Sequence, residues 1–347
     1  MDNNSLGNLI KKKNVCHGRV MSMLVVGMLL TAAFASMLTS IPTSADVTEH
    51  DVSAGVADVF VADVNMDGYN DIITTTYSWW GPPGVSVLWN DGSGDFPTSG
   101  TPDYGDDLRN DYYFVFIGGN PECLFVEDVD GINGPDILIT FPDDNILLVL
   151  HNNGTGFFDD DLDQWNGLNA TLYFTSNRPL GIFVKDLDGD NWNDAVITNR
   201  DDNTVSILRN DGLGRIFDDD LDPFNGNGVN QVDCTVANGP RRVFVEDVDG
   251  MNGPDILVAN EDWGNGLTIL LNDGTGNFQT SGTQEYDGDG RDDYNTYSGS
   301  NDIFIGDIDG DLDNDTVLAG SERSIKVLLN DGTGFFDDDH ERNNENL

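Results

Sequence analysis

Five short segments of the sequence carry aspartate or asparagine at alternating positions, a pattern suited to binding a hard cation. Calcium prefers oxygen ligands from carboxylates, amides and backbone carbonyls, and alternating residues can turn such oxygens toward one centre. Counted from the first aspartate, the first segment (loop 1) offers side-chain oxygens at positions 1, 3, 5 and 9 and a carbonyl at position 7. The residues are Asp63, Asn65, Asp67, Asp71 and, through its carbonyl, Tyr69.

The third and fifth segments (loops 3 and 5) follow the same scheme, so loops 1, 3 and 5 match calcium ligation best. Magnesium fits less well because it prefers water ligands and strict octahedral geometry. The predicted ligands are Asp186, Asp188, Asp190, Trp192 (carbonyl) and Asp194 in loop 3, and Asp307, Asp309, Asp311, Asp313 (carbonyl) and Asp315 in loop 5.

The second and fourth segments (loops 2 and 4) depart from the scheme at position 5, where Ile132 and Met251 stand. The following asparagines could substitute, so up to five calcium ions are predicted, with these two sites left open. The alternative is that all five loops are solvated turns without metal. Close carboxylates repel one another unless a cation neutralises them, which favours metal. The ligands predicted here are Asp128, Asp130, Asn133 and Asp136, and Asp247, Asp249, Asn252 and Asp255.

Each loop belongs to a longer repeat, since the loops begin at Asp63, Asp128, Asp186, Asp247 and Asp307, at intervals of roughly 60 residues. A phenylalanine precedes each loop by three residues, and an apolar run ending in asparagine follows it. Two elements that recur together five times indicate a repeat architecture. The phenylalanines are Phe60, Phe125, Phe183, Phe244 and Phe304, and the asparagines are Asn90, Asn152, Asn210, Asn272 and Asn330.

The repeat predicts four short antiparallel strands. One strand ends at the loop, a second leaves it, and a third alternates inward and outward residues, as in 205–208. A tight turn at Asn-Asp-Gly follows, and a fourth strand is expected near the next phenylalanine. Such units bury both faces only by stacking, so we predict an all-β fold, a β-propeller of about five four-stranded blades.

Two alternatives to a closed five-bladed ring stay open at this stage. One is a linear β-solenoid, although solenoid periods are usually much shorter. Another is part of a larger ring completed by a second chain. For the closed ring, we expect the segment from Asp46 to Val56 to pair in the same blade as the strands around Lys326.

These residues resemble the FG-GAP and VCBS repeats of integrin-α-type propellers, in which a D-x-D-x-D-G-x-x-D loop precedes a strand and an Asn-Gly hairpin. The resemblance spans the chain from Asp46 onward. It implies a calcium loop between the first two strands of each blade and a secreted or cell-surface setting. The Gly-Ala-Pro element of that family survives only loosely, as Asn120-Pro121, Arg178-Pro179 and Gly239-Pro240. Integrin-type propellers have seven blades, whereas five repeats occur here.

The net charge and the N-terminal segment indicate the location of the protein and the partners that it would repel. With 62 acidic and 16 basic residues, the formal charge of −46 would repel nucleic acid and anionic membranes. Residues 1–45 read as a signal peptide or an N-terminal anchor, because basic residues precede an apolar run from Met23 to Leu38 and a small-residue cleavage site before Asp46. We therefore expect residues 46–347 outside the cytoplasm, secreted or at the cell surface, with membrane contact only through an uncleaved anchor.

No catalytic constellation is visible in the sequence. Gly-x-Ser-x-Gly is absent, and the four histidines (His17, His50, His151 and His340) show no zinc-site spacing. We therefore expect no enzyme and no catalytic residues, but a binding or adhesion module for a protein or glycan partner at the cell surface. The alternatives are a polysaccharide-active enzyme and a structural surface-layer component, because the fold alone decides nothing.

Overall fold

The computed structural model describes residues 52, 55–77, 83–94, 96, 109–114, 117–158, 170–210, 212, 231–262, 265–278, 291–296, 299–320 and 323–337. The predicted signal or anchor segment, 1–45, lies outside these residues. In the described part of the chain, no helix has the length and hydrophobicity to cross a membrane.

Four consecutive strands form each of five antiparallel sheets, which confirms the predicted five four-stranded blades. Blade 1 has β1 (Gly55–Ala62), β2 (Asp71–Tyr77), β3 (Gly84–Leu88) and β4 (Arg109–Tyr113), and blade 2 has β5 (Leu124–Glu127), β6 (Asp136–Phe141), β7 (Ile146–Leu150) and β8 (Ala170–Phe174). Blade 3 has β9 (Pro179–Lys185), β10 (Asp194–Asn199), β11 (Thr204–Leu208) and β12 (Gln231–Thr235). Blade 4 has β13 (Pro240–Glu246), β14 (Asp255–Asn260), β15 (Asn265–Leu270) and β16 (Arg291–Asn295). Blade 5 has β17 (Ser300–Gly306), β18 (Asp315–Gly320), β19 (Ile325–Asn330) and β20 (Phe336–Asp337).

Stacking of the blades explains why the middle strands carry continuous apolar runs. Every residue of β6, β7, β10 and β14 is buried, since both faces of an inner blade are covered. The phenylalanines that precede the loops form a row from blade to blade. The ring centroids of successive blades lie 5.1, 5.1, 5.0 and 6.4 Å apart, in the order Phe60, Phe125, Phe183, Phe244 and Phe304.

The fourth strand begins at the predicted phenylalanine in blade 5, where Phe336 starts β20, but it begins later than predicted in the other blades, including blades 2 and 4. The phenylalanine after the turn forms an isolated bridge there, Asn152 with Phe158 and Asn272 with Phe278, while β8 and β16 come later. The backbone N–H of Phe158 donates to the hydroxyl of Tyr112 in blade 1, 3.1 Å away. The phenylalanine therefore anchors its blade to the preceding one.

The asparagine that follows the third strand ties each blade to the one before it. We call Asn90, Asn152, Asn210, Asn272 and Asn330 the bracket asparagines. In blades 2 to 5 the side-chain amide donates to the carbonyl at position 2 of the preceding blade's loop, over 2.6 to 2.8 Å. The amide oxygen accepts N–H groups of the turn glycines, such as Gly274 and Gly276. The tight turn is therefore held by a buried side chain as well as by glycine.

The two ends of this stack are open. Val59 and Val61 of β1 are 36 % and 44 % exposed, and Ile325 and Val327 of β19 are 75 % and 49 % exposed. The equivalents of the first pair in blades 2 to 5 are at most 6 % exposed: Leu124, Ile182, Val243 and Ile303, and Val126, Val184, Val245 and Ile305. The equivalents of the second pair in blades 1 to 4 are at most 1 % exposed: Val85, Leu147, Val205 and Leu267, and Val87, Val149, Ile207 and Ile269.

The predicted closure by the N-terminal segment is wrong for its described end. Gly55 and Val56 pair with Tyr77 and Thr76 of β2, so they belong to blade 1 and not to the blade that contains Lys326. β1 pairs with β2 of its own blade, and their register continues without interruption from Asp58 to the loop. Residues 46–51, 53 and 54 lie outside the described residues.

The bond between blades can be measured by comparing Asn272→Ala with Asn90→Ala. Both variants lose the bonds to the turn glycines and to the loop of their own blade, but only Asn272 also donates to a preceding blade, at Leu187. Loss of a buried hydrogen bond costs about 1–3 kcal/mol. We expect Asn272→Ala to lower the free energy of unfolding in urea by about that much more than Asn90→Ala. Equal effects would contradict the role of the bracket asparagine between blades.

Candidate metal centres

All five loops connect the first strand of a blade to the second, and a buried aspartate closes each loop at position 9. These aspartates are fully buried. One carboxylate oxygen accepts the N–H at position 2 of the loop, and the other accepts the N–H of the bracket asparagine. For Asp255 both distances are 2.9 Å. The set comprises Asp71, Asp136, Asp194, Asp255 and Asp315.

The other aspartates shape the loop through hydrogen bonds to its own backbone. Asp186 at position 1 accepts the N–H groups of Gly189 and Asn191, and Asp190 at position 5 accepts that of Trp192. Position-1 aspartates accept loop N–H groups in the other loops as well, and the position-5 bond recurs in loops 1 and 5. These carboxylates are therefore fixed by the backbone of their own loop.

Position 6 has a left-handed backbone in every loop, which the sharp turn requires. Its residues are Gly68, Asn133, Asn191, Asn252 and Leu312, with φ between 61° and 95°. Asparagine tolerates this conformation better than most residues. Asn133 and Asn252, predicted as substitute ligands, therefore have a conformational role. Their side chains lie next to Gly154 and Gly274 of the hairpin turn.

Three of the loops bring three carboxylates together, with one oxygen of each within 4.8 Å of the others. The clusters are Asp186, Asp188 and Asp194; Asp247, Asp249 and Asp255; and Asp307, Asp309 and Asp311. Loop 4 thus forms a cluster although Met251 stands at position 5. No such group of three carboxylates forms among the described residues of loop 1, where position 3 is Asn65.

In loops 1, 3 and 5 the side chain at position 7 lies against a glycine of the hairpin turn in the same blade. Tyr69 lies beside Gly92, Trp192 beside Gly212, and Asp313 beside Gly332. Their predicted contribution is the backbone carbonyl, which this placement of the side chain leaves unhindered.

The sequence reasoning missed a further residue in loops 2 and 3, the one directly before the bracket asparagine. In blade 3 this is Arg209, whose guanidinium is 2.8 Å from Asp188 and also donates to the carbonyl of Gly276 in blade 4. In blade 2 it is His151, whose Nδ1 lies 3.4 Å from Asp130 and 3.7 Å from Asp136. The spacing of the histidines in the sequence did not indicate this group of Asp130, Asp136 and His151. The position directly before the bracket asparagine recurs in every repeat, and a polar residue there was the sequence feature that could have identified His151 and Arg209.

Burial of the position-9 carboxylates makes their ionisation costly. It raises the pKa of Asp71 to about 6 and the pKa of Asp194 and Asp255 to about 7. Neighbouring loop carboxylates raise these pKa values further, while the backbone N–H donors oppose the shift. A divalent cation in the loop would remove much of this cost, because it stabilises the charged form.

No protein-family model matches the chain, and a search of curated proteins finds no match. Among solved structures, virginiamycin B lyase from Staphylococcus aureus is similar with a TM-score of 0.44 and 11 % identity, covering 78 % of this chain and 68 % of that one. BBS1N in complex with ARL6DN gives a TM-score of 0.41 in two structures, one soaked with mercury and one with lead. Identities are 11 % and 12 %, and coverage of both chains is 80 % and 82 % respectively. Similarity at this level carries no argument about function.

The raised pKa values predict how stability depends on pH without metal. The folded-state pKa of Asp194 and Asp255, about 7, exceeds the ordinary value of 3.8. The folded state therefore holds these protons more tightly than the unfolded state. This contribution to stability is fully present below about pH 4 and is lost as the pH rises through about 7.

We expect the melting temperature in excess chelator to fall as the pH rises from about 4 to 7, and saturating calcium to reduce that fall. Differential scanning calorimetry in matched buffers measures both curves. A chelated protein whose melting temperature stays level or rises across this interval would contradict the prediction.

Proposed function

We propose that the protein is an extracytoplasmic β-propeller of the FG-GAP and VCBS type, stabilised by calcium, that serves as a binding or adhesion module for protein or glycan. The observation that carries the calcium assignment is the set of carboxylate clusters at the same strand connection of successive blades. Among the described residues, no lysine, arginine or histidine forms a salt bridge with a carboxylate of loops 1, 4 or 5. Those loops therefore lack an internal countercharge.

The donor sets fit calcium to different degrees. Loops 1 and 5 offer oxygen donors alone, at the alternating positions that a hard cation requires. Loop 3 offers the same set, but Arg209 already neutralises Asp188, so calcium must compete with the guanidinium. Loops 2 and 4 lack the oxygen at position 5. Unequal affinities among the five loops follow from these differences.

A second function, structural component of a cell surface, is favoured by the open ends of the blade stack. The exposed pairs Val59 with Val61 and Ile325 with Val327 are apolar surfaces of a kind that blades bury elsewhere in this chain. Contiguous exposed apolar surface indicates an interaction site. A polysaccharide-active enzyme gains no comparable support, since paired carboxylates occur in every loop and so single out no catalytic pair.

Calcium should raise the melting temperature well above its value in excess chelator, because binding to the folded state alone adds RT ln(1 + [L]/Kd) to stability. We expect Asp311→Ala to lower the number of bound calcium ions by one, since it removes the position-5 oxygen of loop 5. Ile132→Ala is the matched control, because position 5 of loop 2 has no side-chain oxygen to lose. Equilibrium dialysis with metal analysis gives the counts.

Identical melts with calcium and with chelator would refute the calcium assignment, and equal ion losses from both variants would refute the loop register. The same preparations, probed on protein and glycan arrays, test the binding module. We expect captured partners to be released by chelator. A folded, calcium-loaded protein that captures nothing would favour the structural role.

A further inference from the structure

His151 places a nitrogen donor among the carboxylates of loop 2. The residue follows β7 and is 8 % exposed. Its Nδ1 is buried without a hydrogen-bond partner, 3.4 Å from Oδ2 of Asp130 and 3.7 Å from Oδ1 of Asp136. Its Nε2 lies 3.2 Å from the hydroxyl of Thr171 on β8. The imidazole is thus fixed at one nitrogen and aimed at two acids with the other.

A cation between the three groups would stabilise this arrangement. If Nε2 carries the hydrogen and donates it to Thr171, the lone pair of Nδ1 faces two carboxylates, and the three groups repel one another. A histidine that ligates a metal ordinarily donates its other ring N–H to an oxygen, as Nε2 is placed to do here. In a tetrahedral site with bonds of about 2.0–2.1 Å, neighbouring ligand atoms lie about 3.4 Å apart. The observed separations need little adjustment to reach that geometry.

We propose that loop 2 is a site for a borderline divalent transition metal such as Zn²⁺, bound by Nδ1 of His151 with Asp130 and Asp136. Imidazole nitrogen suits zinc and its neighbours, whereas calcium takes oxygen ligands. Ile132 removes the oxygen at position 5, so loop 2 loses a calcium ligand and gains a nitrogen. The site depends on the loop geometry and not on calcium binding elsewhere.

Loop 4 is a natural control for this site. Its sequence from Asp247 to Ile256 differs from that of loop 2 only by methionine in place of Ile132. Leu271 stands where blade 2 has His151. Loop 4 therefore supplies the same carboxylates without the nitrogen, and leucine is a residue that this position accommodates.

The test is a Co²⁺ titration of the metal-free full chain, followed by visible absorption, in which a nitrogen-containing tetrahedral site gives intense d–d bands. We expect one such site in the wild type and its loss in His151→Leu. Affinity should fall by about 100-fold or more, since even outer-shell partners contribute up to about that factor. Leu271→His should create a second site in loop 4. A variant with His50→Gln and His340→Gln should bind like the wild type.

Equal Co²⁺ binding by the wild type and His151→Leu would overturn the proposal, as would a histidine that merely stays protonated between the two acids and binds no Co²⁺. Calcium-dependent melting of His151→Leu separates this failure from failure of the proposed calcium sites. It should match the wild type if the leucine variant folds normally.

A second inference rests independently on the open ends of the stack. The blade-1 face (Val59 and Val61) and the blade-5 face (Ile325 and Val327) are the two halves of one interface, which occurs four times between successive blades of this chain. The polar contacts are missing in the same way. Within the described residues, Asn90 donates to its own loop but to no preceding blade, and no asparagine reaches the carbonyl of Ile308.

The glycines of the hairpin turns also differ between blade 1 and the later blades. Gly156, Gly276 and Gly334 lie against position 3 of the preceding loop, at Asn65, Asp188 and Asp249. In the described part of the chain, no atom lies within 4 Å of the corresponding Cβ position at Gly94 of blade 1. Loop 5, which would receive it, is the loop whose three clustered carboxylates are all exposed.

We infer that the blade-5 face of one copy packs on the blade-1 face of a second copy. The occupant is a second copy because the contact continues an interface already present between blades, with apolar pairs, an asparagine donor and a carbonyl acceptor all in register. The contact is heterologous, so it either closes a ring or extends into a chain of copies.

Light scattering over a range of concentrations tests this inference. We expect the wild type to be larger than a monomer. The double variants Val59→Asp with Val61→Asp, and Ile325→Asp with Val327→Asp, should each be monomeric with unchanged calcium-dependent melting. Mixing the two variants should give heterodimers and nothing larger, because each retains one intact face. A monomeric wild type, or variants that do not combine when mixed, would overturn it and point to another occupant.

Discussion

The structure depends on a buried aspartate that closes each loop and accepts two backbone N–H groups from different parts of its blade. One donor belongs to the start of the loop and the other to the turn after the third strand. The carboxylate thereby fixes the position of strand 1, strand 2 and the hairpin relative to one another. In blade 4, Asp255 fulfils this role with two bonds of 2.9 Å.

Ionisation of that same carboxylate is costly, and the loops differ in whether they place a basic side chain beside it. Burial beside other acids raises the pKa of Asp194 and Asp255 to about 7. Loop 3 carries an arginine against its cluster, loop 2 carries a histidine, and loops 4 and 5 have an apolar leucine at the equivalent position. The residue before the bracket asparagine therefore sets the local countercharge, while the shared loop scaffold stays unchanged.

Much of the fold could be predicted from the sequence, because the loop and the bracket asparagine recur at fixed spacing and limit each repeat to four short strands. The site was harder to predict. Arg209 and His151 lie some twenty residues along the chain from the aspartates that they approach. Only the pairing of the second and third strands of each blade brings them together. The fourth strand was misplaced because Phe158 and Phe278 looked like strand residues, whereas they bridge to the asparagine and serve contact between blades. The open ends could not be predicted. The exposure of a strand depends on whether another blade covers it, and the repeat pattern of the sequence does not show this.

The asparagine contact between blades reaches one repeat back and no further. A duplicated or deleted blade would therefore meet the same donor, the same acceptor and the same apolar pairs on either side, and no other part of the chain would need to change. Stability in such an array is close to a sum over units and their nearest neighbours. The number of blades is consequently free to vary during evolution by whole-unit gain or loss, without a compensating mutation inside any remaining unit.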